Sequence, residues 1–148
     1  MTRRAEDLAA LAIGVAALGL RLYHLDSQSY WYDESLSLLA ARLPVGGIAR
    51  YHLENAQAYT YPPLYSYVLH AWLALFGPSA LVGRLFSAIC GSGAVLLVYM
   101  LVRRFSSGAA GLLAAALLAV SQIGVAYSQE TRAYAFALAL TPGRRVAP

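Results

Sequence analysis

Leu85–Val102 reads LFSAICGSGAVLLVYMLV, a run with no charged side chain. Arg84 precedes it and Arg103-Arg104 follows it. A surface helix of a soluble domain presents a polar face to water, and this stretch has none. A membrane-spanning helix needs about 20 mostly apolar residues, so a span is predicted over 80–102. Outward from it, Phe105–Gln129 is a second charge-free run, which predicts a span over 109–127. The composition agrees. Of 148 residues, 59% are hydrophobic and 12% are charged, and the mean hydropathy is +0.56. Soluble domains carry about 25% charged residues.

The chain begins MTRRAEDLAALAIGVAALGL, a basic start followed by an apolar core. A secretory signal would close on a small-x-small cleavage site. GLRLYHLD follows instead, which predicts an uncleaved first span over 8–25. A further apolar segment, Pro63–Phe76, has 14 residues, and segments of that length lie at the interface more often than they cross. Basic residues mark cytoplasmic ends. Arg3-Arg4 places the N-terminus inside, and Arg103-Arg104 also falls inside only if 63–76 lies on the surface. The expected fold is therefore an all-α integral membrane protein of three to four transmembrane helices. The fourth span starts at 133 and is cut short by TPGRRVAP, which suggests an incomplete chain. A large first external loop, 26–79, carries surface-lying juxtamembrane helices, and SQETR (128–132) is external too.

Several function classes fall away. All 11 basic residues are Arg and the net charge is +4, too sparse and dispersed for a nucleic-acid footprint. Cys90 stands alone and reads as a small buried hydrophobe. His24, His52 and His70 lack metal-ligand spacing. No glycine-rich phosphate loop follows a strand pattern.

The external loop holds YWYDESLSL (30–38), three aromatic rings and then two acids. Leu36, Leu39, Ala40 and Leu43 share one helical face, with Pro44 and Gly46-Gly47 ending that helix. Asp33 reads either as a cap for its N-terminus or as a general base. Glu34 is either a first-turn acid favoured by the helix dipole or an orienting or metal-binding partner. Glu130 and Arg132 form an interfacial ion pair, or else Arg132 clamps a phosphate. Tyr30, Trp31, Tyr32, Tyr59, Tyr61, Tyr65 and Trp72 read as an interfacial aromatic belt, some of them able to stack on a sugar or an isoprenoid.

Four pieces, in order, resemble the membrane-embedded GT-C glycosyltransferases of the dolichyl-phosphate-mannose–protein mannosyltransferase and lipid A aminoarabinose transferase type. They are LRLYHLDSQSYWYDES, YTYPPLYSYVLHAWLALFGPSALVGRLFSAICG, VYMLVRRFSSGAAGLLAAALLAVS and AYSQETRAYAFAL. The resemblance implies a polyprenyl-phosphate sugar as donor and an acceptor hydroxyl on the external face. Asp33 would be the base, with Glu34 beside it in support. Arg132 would stabilise the lipid phosphate, with Glu130 and Tyr61 on the donor side. The family's frequent His-Pro-Pro is Tyr61-Pro62-Pro63 here, and its Pro after Arg132 is Ala133. The first change leaves open whether a divalent cation takes part. The alternative is a non-catalytic small membrane protein, a subunit or assembly partner, whose polar loops are caps and anchors.

Overall fold

The computed structural model describes residues 2–27, 29, 31–55 and 63–140. Among them are eight helices and no strand. They are α1 (Arg3–Leu22), α2 (Tyr32–Arg42), α3 (Val45–Glu54), α4 (Leu64–Phe76), α5 (Ala80–Phe105), α6 (Gly108–Val120), α7 (Gln122–Ser128) and α8 (Ala133–Leu140). Tyr30, Tyr59, Tyr61 and 141–148 lie outside the described residues.

Helix α5 is the hub, packing against α1, α4, α6, α7 and α8. Small residues let its neighbours approach. Ala10, Ala17, Val95, Tyr99, Ala115 and Ala119 form the core between α1, α5 and α6. A Cβ at Gly111 would lie 2.8 Å from the Tyr99 carbonyl oxygen, so only glycine admits this α5–α6 contact. Small-residue contacts of this kind are how helices pack in lipid, where apolar burial offers no driving force. Helix α1 runs antiparallel to α5. Asp7 pairs with Arg103 at one end, and Arg84 donates to the Leu25 carbonyl at the other, at 3.0 Å. The Arg3-Arg4 and Arg103-Arg104 pairs therefore lie at the same end of the bundle. A second core joins α2, α4, α5 and α8 through Leu38, Ala41, Tyr65, Leu69, Leu73, Phe86 and Ala133.

Helix α5 has 26 residues and is the one described helix long and apolar enough to cross a bilayer alone. Helix α4 has 13, about 20 Å of rise, against a hydrocarbon core of about 30 Å.

Three expectations are corrected. The segment 109–127 is not one helix: it breaks at Ser121, and α6 and α7 meet at 61°. Ser121 caps the second piece, its Oγ accepting from the Gly124 amide at 3.3 Å. On α2 the buried face is Glu34, Ser37, Leu38, Ala40 and Ala41, while Leu39 is half exposed. Arg84 draws the Glu34 carboxylate inward, and that ion pair fixes the helix rotation against the leucine pattern. Pro44 does end α2, but it also opens α3, and Gly46-Gly47 fall inside that helix.

Candidate functional site

Helix α2 starts just after Trp31, so Asp33 and Glu34 both stand in its first turn. They point apart and do different things.

Glu34 is fully buried. Its carboxylate takes two hydrogen bonds from Arg84, from Nε to Oε1 at 3.0 Å and from Nη2 to Oε2 at 2.8 Å. Oε1 also accepts from the Thr131 amide at 2.8 Å. Oε2 lies 3.5 Å from the Trp31 amide, a reach back to the helix N-terminus that caps α2. Burial pushes this carboxyl up. The Arg84 and backbone hydrogen bonds and the Arg84 charge outweigh it and hold Glu34 below the usual carboxylate range. Arg84 also donates to the carbonyls of Leu25 and Ser29 at 3.0 and 3.3 Å. One buried ion pair thus ties the end of α1, the start of α2, α5 and the segment 129–132.

Asp33 faces the other way. Its Oδ2 lies 3.0 Å from Arg132 Nη1. It does not cap α2, because the cap position is Trp31. The Arg132 guanidinium also lies over the Tyr134 ring, 4.8 Å from its centroid. Asp33, Arg132, Glu130, Trp31 and Tyr127 line one cavity of about 260 Å³. Glu130 has a raised pKa, chiefly from burial, which the Arg132 charge opposes. The cavity thus presents a half-exposed carboxylate able to accept a proton beside a guanidinium able to neutralise an anion.

The structure brings Asp33, Glu130 and Arg132 together across about a hundred residues of sequence. Glu34 stands behind the cavity wall, and Tyr61 lies outside the described residues. Among those residues no three His, Cys, Asp or Glu side chains converge as metal ligands, and Asp33 is engaged by Arg132. Tyr65 is buried against Phe86 and Phe136 rather than placed in an interfacial belt. His52 Nε2 lies 2.8 Å from Ser66 Oγ, and burial lowers its pKa. His70 Nδ1 lies 2.9 Å from the Ala41 carbonyl oxygen. Sequence reasoning missed Arg84, Thr131 and Tyr127. The one available signal was Arg84 itself, a charge one turn into an apolar helix, which requires a buried partner.

No curated protein and no solved structure matches the chain. The family model for dolichyl-phosphate-mannose-protein mannosyltransferase matches residues 60–142, from before α4 to the end of α8. That stretch includes Arg84, Glu130 and Arg132 and leaves out Asp33 and Glu34. It covers more than half of the 148 residues, and the chain belongs to the dolichyl-phosphate-mannose-protein mannosyltransferase family.

Proposed function

We propose that the chain contributes the Asp33–Arg132 site of a membrane glycosyltransferase that moves a sugar from a polyprenyl phosphate to an acceptor hydroxyl on the external face. The observation that carries this reading is the 3.0 Å approach of Asp33 to Arg132 in one cavity. Family membership supports the donor class. Outward-facing Leu8, Leu11 and Val15 on α1 and Leu113 and Leu117 on α6 support a lipid surround. In this reading α1, α5 and the bent α6–α7 pair span the bilayer, with Arg3-Arg4 and Arg103-Arg104 on the cytoplasmic side.

The reaction follows from the two charges. The acceptor hydroxyl gives its proton to Asp33 as its oxygen bonds to the anomeric carbon. The bond from that carbon to the phosphate oxygen breaks, and the electron pair leaves with the lipid phosphate. Attack opposite the leaving group inverts the anomeric centre. Arg132 neutralises the charge gathering on the phosphate. Glu34 and Arg84 touch no reactant; they position the two loops. Glu130, its pKa raised by burial, lines the same cavity on the donor side.

The test is transfer of radiolabelled sugar from a polyprenyl phosphate in membranes containing the chain. Asp33→Asn should lower transfer by about 10²–10⁴-fold, the range for removal of a general base. The same substitution frees Arg132 from its half-exposed ion pair, a contact of about 0.2–1 kcal/mol. It should therefore bind the sugar-free polyprenyl phosphate up to about fivefold more tightly. Transfer that survives Asp33→Asn would remove Asp33 as the base. A wild-type chain that neither transfers nor binds would favour the non-catalytic membrane protein.

A further inference from the structure

Arg21 is the most deeply buried cation outside the Glu34 pair, 1% exposed, and no carboxylate among the described residues forms an ion pair with it. Backbone oxygens receive it instead. Nη1 donates to the Ala17 and Ala119 carbonyls at 3.0 and 3.3 Å, and Nη2 to the Leu118 carbonyl at 3.4 Å. Nε donates to Ser128 Oγ at 3.1 Å. The Leu118 and Ala119 carbonyls belong to the last turn of α6, where a helix has no amide donors of its own left to pair them and its dipole is negative. Ser128 is the last residue of α7. One guanidinium therefore grips the turn before the bend and the far end of the helix after it.

Neighbouring contacts serve the same grip. A Cβ at Gly91 would overlap Ser128 Oγ and come within 3.0 Å of Arg21 Nε. Gln129 Nε2 donates back to the Arg21 and Tyr23 carbonyls at 3.2 and 2.9 Å. Residues 129–132 leave from this anchor directly toward the cavity, and the Thr131 amide meets Glu34 on the other side.

We propose that Arg21 is a positioning residue for Arg132. Its fork fixes the 61° bend between α6 and α7, and the bend delivers residues 129–132 to the cavity. The link to phosphate binding rests on the transferase reading above; the link to the bend does not. Lysine carries the same charge on a single point and cannot span four acceptors on three segments.

The experiment is a spin-label distance measurement on the full chain in nanodiscs. Labels sit on cysteines at Ala12 of α1 and Ala126 of α7, both exposed, with Cys90 replaced by alanine. Helix α7 is about 10 Å long, so straightening the 61° bend would carry its end about as far. The unsubstituted chain should give one narrow distance. Arg21→Met and Arg21→Lys should each shift or broaden it by several ångströms and weaken polyprenyl phosphate binding about tenfold, with helix content unchanged. Ser128→Ala, which removes one of the ties, should give a smaller shift. An unchanged distance in Arg21→Met overturns the proposal. So does a wild-type distance in Arg21→Lys, because charge alone would then hold the bend. If Arg21→Met does not fold, an unchanged distance in both Ser128→Ala and Arg21→Gln overturns it. A chain that binds no polyprenyl phosphate sinks the transferase reading, while the label distance still decides the role of Arg21.

Discussion

Asp33 and Glu34 are neighbours with opposite environments, and the difference sets what each can do. Asp33 is half exposed in the cavity, where its charge can change without breaking the fold. Glu34 is fully buried and compensates the charge of Arg84. Removing one member of a buried pair leaves the other charged in a medium that solvates it poorly, at a cost of about 3–5 kcal/mol. Glu34→Gln should therefore lower the melting temperature far more than Asp33→Asn. The pH dependence follows from the folded carboxyl lying below its ordinary value. Stability from this pair is fully present above the unfolded value of about 4.3. It is lost as pH falls through the lower folded value, because the unfolded chain then binds the proton more readily. Melting curves from pH 7 to pH 3 should show the gap between wild type and Glu34→Gln closing below about pH 4. A constant gap across that range would mean that the Glu34 charge is not what stabilises the fold.

At the scale of elements, close approach decides. The Gly111 Cα faces the Tyr99 backbone, which cannot swing aside as a side chain could. Gly111→Ala should separate α5 from α6 and cost about 1–3 kcal/mol, read as a lower melting temperature; an unchanged value would mean the helices adjust freely. This scale also bounds what the sequence made legible. The charge-free run 85–102 announced α5, because a polar face cannot be hidden in eighteen residues. The shortness of 63–76 announced the 13-residue helix α4. The break at Ser121 was silent: serine inside an apolar run is compatible with a straight helix. What bends the chain there is the acceptor demand of Arg21, a hundred residues earlier. The rotation of α2 was misread for a related reason. Periodicity counts leucines, whereas a buried ion pair outranks them, and its second member, Arg84, lies fifty residues away. Asp33 and Arg132 could be suspected of meeting, since both end the same kind of apolar segment on one side. The tie through Thr131 could not, because it uses a backbone amide.

For the whole molecule the antiparallel α1 and α5 bring both Arg-Arg pairs of the described bundle to one end, opposite the cavity. In the proposed orientation a cysteine at Arg104 should react with an impermeant thiol reagent only after the membrane is opened, and one at Ser27 before. Labelling of position 104 from outside would invert the topology and move the site to the cytoplasmic face. The buried Glu34 carboxylate has a consequence for traffic. It holds the Trp31 and Thr131 backbones from one side chain, so two walls of the cavity form a single plate that cannot part down the middle. If the cavity takes a lipid headgroup as proposed, that seam offers it no gate, and the exposed Tyr127 edge, which Glu34 does not hold, is the side left for entry and exit.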